Sequence, residues 1–193
     1  TGQMHTTVFL DEYGNSVRPA ILWNDRRTNS EVDEIKEIIK SKKPGHLSLL
    51  SISRGSPAAN ILWLKNHESE NYDNTKYIMI GKDYLVFKLS GAYSSDYCDV
   101  SASSLFDFED YSWDYELLDW LDIKKELPAI NSSSTIVGKV KDEISLELGL
   151  EEEVDVVAGT GDNAATYYPT YKLFGSIPII SLGTSGVLLT PTD

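Results

Sequence analysis

The sequence predicts an α/β fold, because segments with helical periodicity alternate with short apolar runs typical of strands. Residues 6–10 and 17–23 form two apolar runs around a turn at Gly14, which predicts an N-terminal hairpin. Near the other end, residues 154–158 predict a strand, and a second pair of strands is predicted at 177–181 and 187–190.

The intervening segments predict helices. The segment starting at Thr28 or Asn29 and running to Lys42 repeats its apolar residues at the spacing of one helix face. Glycines at Gly91 and Gly149 are typical of helix ends. The other predicted helices cover residues 57–67, 82–89, 112–121, 139–148 and 162–168.

Charge excludes one class of partner. The chain carries 30 acidic and 17 basic residues, a formal charge of −13, of which −11 lies within residues 107–155. Binding to nucleic-acid phosphates requires a basic surface, so no nucleic-acid partner is expected, and the acidic stretch is predicted to be solvated. The apolar runs are too short to span a bilayer, so no membrane partner is expected. Neither a signal peptide nor secretion is expected. A single cysteine, Cys98, excludes an internal disulfide.

A glycine-rich turn follows the strand predicted at 154–158. Residues 159–164 match the G-x-G-x-x-A pattern of dinucleotide-binding proteins, but no acidic residue follows between 171 and 192 to hold a ribose. Asp162 would also put a carboxylate at the helix N-terminus, where the pyrophosphate of a dinucleotide binds. Two interpretations of Asp162 remain, a helix cap and a carboxylate that accepts a proton from a substrate hydroxyl.

Two more segments have residue types suited to binding. Residues 182–186 join two apolar runs through glycines and hydroxyls, which suits either a phosphate-contacting loop or an ordinary hairpin turn. Gln3, Met4 and His5 bring an amide, a thioether and an imidazole together before the first strand. The tryptophans, including Trp23, are most simply core or half-buried residues.

Taken together and in this order, four segments resemble the FGGY carbohydrate kinases, and among them most closely the xylulokinases. They are Gly2-Gln3-Met4-His5, Ala20-Ile21-Leu22-Trp23-Asn24-Asp25 with Arg27-Thr28, Ala158-Gly159-Thr160-Gly161-Asp162-Asn163-Ala164-Ala165, and Ser181-Leu182-Gly183-Thr184-Ser185-Gly186.

This resemblance implies an actin-like ATPase fold of RNase H-like topology, incomplete here and forming part of the N-terminal lobe of a two-lobed sugar kinase. Residues 1–193 would be the central and C-terminal part of the sugar-binding N-terminal domain, ending in the second phosphate-contacting turn. By resemblance, Asp162 is the catalytic base that takes a proton from the attacking sugar hydroxyl. The same resemblance implies sugar contacts for Gln3, Met4, His5 and Asn163, and phosphate contacts for Gly183, Thr184 and Ser185.

The implied reaction is ATP-dependent phosphorylation of D-xylulose to xylulose 5-phosphate by a longer, cytoplasmic protein. ATP and Mg²⁺ would bind between the lobes, and both sites are expected to be incomplete in this chain, which lacks the family's first phosphate loop. No metal ligand is therefore predicted within the chain, and the chain alone is expected to be inactive. The expected partners are the sugar and ATP, and a homodimer is compatible with the sequence.

Two alternatives remain open. One is a kinase for another polyol or sugar, such as xylitol, glycerol or gluconate, because residues 166–169 add bulk where the family usually has small residues. The other is a non-catalytic sugar-binding or regulatory domain of the same fold.

Overall fold

The computed structural model describes residues 1–182 and 186–191. The helices are α1 (Asn29–Lys42), α2 (Ser48–Ser51), α3 (Pro57–His67), α4 (Ser69–Asn74), α5 (Gly81–Ser90), α6 (Tyr97–Ser101), α7 (Tyr115–Trp120), α8 (Asp142–Leu148) and α9 (Asp162–Phe174). The strands are β1 (Thr7–Leu10), β2 (Tyr77–Ile80), β3 (Ser94–Asp96), β4 (Phe106–Asp107), β5 (Ser112–Trp113), β6 (Ala129–Asn131), β7 (Ile136–Lys139), β8 (Asp155–Val157), β9 (Ile179–Leu182) and β10 (Gly186–Leu189).

The first strand is paired differently from the sequence prediction. β1 runs antiparallel to β2, with Thr7 opposite Ile80 and Leu10 opposite Tyr77. Residues 17–23 form no strand, and only isolated bridges, including one from Thr7 to Ile21, connect this region to β1. The predicted N-terminal hairpin is therefore wrong. All four residues of β1 are buried, so pairing with the equally apolar β2 removes both strands from water.

The main core lies between this strand pair and the helices α1 and α3. On α1, Val32, Ile35 and Ile39 are buried at the predicted helical spacing. They pack with Phe9 of β1 and with apolar residues of α3. Burial of these side chains fixes β1, and therefore fixes the chain segment that immediately precedes it.

Most predicted helices are confirmed, with shifted boundaries. α5 ends at Gly91 and α8 ends at Gly149, both in the left-handed conformation predicted for glycine stops. α7 begins only at Tyr115, because the carboxylate of Asp114 accepts a hydrogen bond from the Leu117 amide and caps the helix. The helix predicted from Lys139 begins only at Asp142, since Lys139 instead ends β7 and pairs with Asp155 of β8.

The C-terminal part differs from this core in its exposure. β9 and β10 form the predicted antiparallel pair, with Ile179 opposite Leu189. Apolar side chains such as Leu173, Phe174 and Leu182 are exposed. Across the described ranges 1–182 and 186–191, no helix combines the length and apolar character needed to cross a membrane.

Candidate functional site

The site lies where two distant segments meet. We call residues 2–5 the N-terminal segment and residues 158–163 the Asp162 turn. Gly2 forms a parallel bridge with Gly161, and the Asp162 amide donates a hydrogen bond to the Gly2 carbonyl at 3.2 Å. These contacts place side chains from both segments around one cavity.

The Asp162 turn connects β8 to α9. Its backbone is anchored from behind, because the amides of Ala158 and Gly159 donate hydrogen bonds to the carbonyls of Thr135 and Ser133, each at 2.9 Å. Gly159 has a φ of 75°, a left-handed conformation that glycine adopts without strain. The turn is thus held rigidly on the strand that precedes it.

Asp162 is the first residue of α9. The N-cap residue is Gly161, so the interpretation of Asp162 as the helix cap is wrong. The exposed carboxylate of Asp162 accepts a hydrogen bond from the Asn163 amide at 3.0 Å and lies in the first turn of the helix. The helix dipole stabilises an anion at this position, which suits a carboxylate that must be ionised to accept a proton.

His5 has an unusual backbone and an unpaired side chain. Its φ is 67°, a conformation uncommon for residues other than glycine, and such residues cluster at functional sites. Its Nδ1 atom is buried and has no hydrogen-bond partner among the described residues. Burial lowers the pKa of His5, and the nearby charge of Asp162 acts in the opposite direction. A neutral imidazole with a free nitrogen can exchange hydrogen bonds with a hydroxyl.

The Sδ atom of Met4 lies 3.7 Å from the Nδ2 atom of Asn163. A β-carbon on Gly161 would come within 2.7 Å of Met4 Cγ. The close approach of the N-terminal segment to the turn therefore depends on glycine at position 161.

One cavity of about 220 Å³ collects the residues predicted for the sugar and for proton transfer. It is lined by Gln3, Met4, His5, Trp23, Asp162, Asn163 and Val187. Its volume suits a ligand smaller than the drug-sized molecules that fill pockets of about 300 Å³ or more. The predicted phosphate-contacting residues Gly183, Thr184 and Ser185 lie outside the described residues.

Trp23 and Val187 are the two described lining residues that the sequence analysis did not predict, and Trp23 is the larger. Trp23 is 52% exposed, which fits the half-buried alternative of the sequence prediction and not the core. Hydrogen bonds between Thr7 and Ile21 hold its segment beside β1, and its backbone packs against Gly55. The available signal was its place in the 20–25 segment, which belongs to the motifs that carry the family resemblance.

A larger cavity of about 780 Å³ adjoins the same turn at Thr160. Its lining includes Tyr167, Tyr168 and Tyr171 of α9. None of the residues predicted for the sugar or for proton transfer lines it, so the smaller cavity is the candidate site.

A magnesium ion has no evident ligand set in the described part of the chain. There, no three His, Cys, Asp or Glu side chains converge closely enough to hold a metal ion. Asp162 supplies a single carboxylate, and one carboxylate alone does not make a metal site. The described residues therefore do not by themselves form a Mg²⁺ site.

The family follows from comparison of the sequence with known proteins. Residues 1–168 match the N-terminal domain of the FGGY family of carbohydrate kinases. The chain belongs to this family. It is similar to the xylulose kinase of Staphylococcus xylosus, with 35% identity over 191 residues, covering 98% of this chain and 40% of that protein.

Solved structures of FGGY-type kinases have the same fold. A ligand-bound xylulose kinase from Lactobacillus acidophilus superposes with a TM-score of 0.82 at 25% identity, over 96% of this chain and 38% of that one. A gluconate kinase from the same organism superposes with a TM-score of 0.84 at 26% identity, again over 96% and 38%. The predicted fold, an incomplete actin-like ATPase domain from the N-terminal lobe of a sugar kinase, is confirmed. The chain spans about two fifths of the length of the relatives that it matches.

Proposed function

We propose that this chain is part of an ATP-dependent kinase that converts D-xylulose to xylulose 5-phosphate. Residues 1–193 would form the central and C-terminal part of its sugar-binding domain. The observation that carries the proposal is the shared cavity, in which Asp162 lies beside Met4, His5 and Asn163. The similarity to xylulose kinases over nearly the whole chain supports the same substrate.

In this proposal Asp162 is the general base. A hydroxyl of the bound sugar donates its proton to the Asp162 carboxylate while the hydroxyl oxygen attacks the γ-phosphorus of ATP. The new O–P bond forms as the bond between the γ-phosphorus and the bridging oxygen breaks, and ADP leaves with that electron pair. Mg²⁺ in such a kinase would neutralise charge on the phosphates. The residues of this chain hold the sugar and accept the proton.

The electrostatics of the cavity favour an uncharged sugar. Burial lowers the pKa of His5, so the imidazole is neutral near pH 7, and Asn163 contributes an amide. Among the described residues of the lining, Asp162 is the one acidic residue and none is lysine or arginine. A substrate carboxylate would be repelled by Asp162 without a compensating cation, whereas a ketose offers only hydroxyl and carbonyl groups.

Gluconate is the main alternative substrate, because a gluconate kinase has as similar a fold as a xylulose kinase. The test is a panel of xylulose, xylitol, glycerol and gluconate, assayed with the full-length protein by coupled detection of ADP. The proposal predicts the highest kcat/KM for xylulose. A higher value for gluconate would overturn it.

One further outcome of this panel, and a separate assay of the 193-residue chain, are informative. Sugar binding without turnover of any substrate would favour a non-catalytic sugar-binding domain. The chain of 193 residues alone is expected to be inactive, and ATP-dependent phosphorylation of xylulose by it would contradict that expectation. Cytoplasmic location and homodimerisation of the full-length protein remain predictions, which fractionation and sedimentation can test.

A further inference from the structure

A buried lysine lies directly behind the candidate site. Lys82, the second residue of α5, is only 4% exposed. Its Nζ atom is 2.6 Å from Asp83 Oδ1, 3.1 Å from Asp96 Oδ1 and 3.6 Å from Asp99 Oδ2. All three carboxylates are buried, so one cation faces three acidic groups away from water.

The same ammonium group also binds the Asp162 turn. Lys82 Nζ donates a hydrogen bond of 2.9 Å to the carbonyl oxygen of Ala158, the residue at which the turn leaves β8. A hydrogen bond from a charged donor is about twice as strong as a neutral one. Lys82 therefore ties the start of the turn to α5, and its carboxylate partners tie it to β3 and α6.

The methylene groups of Lys82 contact both segments of the site. A β-carbon on Gly2 would lie 3.3 Å from Lys82 Cβ, and one on Gly159 would lie 3.2 Å from Lys82 Cδ. Gly161 of the Asp162 turn lies close to Asp99, since a β-carbon on Gly161 would lie 2.7 Å from Asp99 Oδ1. The backbones of the N-terminal segment and of the turn thus rest on the lysine and on its partner carboxylate.

A solely structural role accounts poorly for this arrangement. Buried ion pairs are often no more stabilising than apolar residues of similar volume, because removing the charges from water is costly. Lys82 does not line the sugar cavity. Its hydrogen bond to Ala158 and its contact with Gly2 instead set the distance between the two segments.

We infer that Lys82 is a positioning residue for the proposed reaction, holding Asp162 in register with the segment that carries Met4 and His5. This inference rests on the proposed function. A displacement of about 1 Å at a reacting group can lower a rate by about a hundredfold, so the position of the turn matters for kcat.

The test compares Lys82→Met/Asp83→Asn with Asp83→Asn in the full-length protein. The double variant removes one positive and one negative charge, so the net charge of the cluster is unchanged, and the single variant keeps the bond from Lys82 to Ala158. Lys65→Met/Asp122→Asn is the matched control, because that ion pair of 3.0 Å lies at the surface. Thermal unfolding measures the folded fraction of each variant.

The expected result is a kcat per folded molecule at least about tenfold lower in the double variant than in Asp83→Asn, with a smaller change in sugar KM. The surface control should retain the parental kcat. A solely structural role would lower the melting temperature without changing kcat per folded molecule. A double variant with a kcat within about twofold of Asp83→Asn would overturn the inference.

If the double variant does not fold, Lys82→Arg is used instead. Arginine keeps a positive charge among the carboxylates, but its longer, planar guanidinium group cannot reproduce the hydrogen bond of Lys82 Nζ to the Ala158 carbonyl. The inference predicts a lower kcat with a melting temperature near that of the parent. An unchanged kcat would overturn it.

Hydrogen exchange separates this inference from the proposed function. If the parent phosphorylates no sugar, the proposed function fails, and the amides of Gly159 and Asp162 then report on the turn. They bind the carbonyls of Ser133 and Gly2. Amide exchange at least about tenfold faster in Lys82→Met/Asp83→Asn than in Asp83→Asn supports positioning by Lys82. Equal exchange in the two variants overturns the inference.

Discussion

The Asp162 amide donates a hydrogen bond of 3.2 Å to the Gly2 carbonyl oxygen, which joins the N-terminal segment to the first turn of α9. The two residues belong to parts of the sequence separated by almost the whole chain. Their contact gives the cavity two walls, one bearing Met4 and His5 and the other bearing Asp162 and Asn163. Substitutions in either wall should therefore affect the binding of the same ligand.

Replacement of His5 separates a backbone effect from a side-chain effect. His5→Asn keeps a residue that tolerates the left-handed conformation, whereas His5→Ala does not. We expect both variants to raise the sugar KM by about tenfold, since both lose the imidazole. Only the alanine variant should also lose about 1 kcal/mol of stability, measured by urea unfolding. An unchanged KM in both variants would remove His5 from the sugar site.

Trp23 should report sugar binding directly. Half of its side chain is exposed at the cavity, so an occupying sugar changes its surroundings. We expect the sugar to change the tryptophan fluorescence of the parent, and we expect Trp23→Phe to abolish this change. Trp63→Phe is the control, because Trp63 stacks on His67 at 5.2 Å and does not line the cavity. A signal that persists in Trp23→Phe would place the sugar elsewhere.

The Asp99 carboxyl should make stability depend on pH. Burial raises its pKa to about 7, and the charges of Asp83 and Asp96 add to this, while Lys82 opposes it. Between the unfolded value of 3.8 and about 7, the folded protein holds a proton that the unfolded chain has released. Stability therefore falls as pH rises through this window, by up to about 1.4 kcal/mol per unit.

Asp99→Asn should remove this dependence. Urea unfolding of the full-length protein at about pH 5 and about pH 7.5 should show the variant gaining stability relative to the parent at the higher pH. Asp122→Asn is the control, since lysines hold the pKa of Asp122 at about 2 and keep it ionised throughout the window. Equal pH dependence in the parent and in Asp99→Asn would contradict the assignment.

The local elements were predictable because their signals are local. α1 and α3 follow from apolar spacing, and the ends of α5 and α8 follow from Gly91 and Gly149. The partner of β1 was not predictable in this way. β1 pairs with β2 some seventy residues away. This pairing is determined by burial of both strands in one core and not by a local turn sequence.

The candidate site shows the same division. Motif resemblance identified Gln3, Met4, His5, Asp162 and Asn163, and the structure places all five around one cavity. The resemblance included Trp23 in its 20–25 segment without implying a role for it, and it did not include Lys82. Their places depend on how the 20–25 segment and α5 pack beside the N-terminal segment, and sequence spacing does not encode such contacts.

The central claim is that Asp162 accepts the proton of the sugar hydroxyl. The most direct measurement compares kcat and sugar affinity of Asp162→Asn with those of the parent in the full-length protein. Asp155→Asn serves as the matched control, because Asp155 is an exposed carboxylate on neighbouring β8. We expect kcat to fall by about a thousandfold in Asp162→Asn while the sugar dissociation constant stays within about threefold. A variant that keeps more than about a tenth of the parental kcat would contradict it.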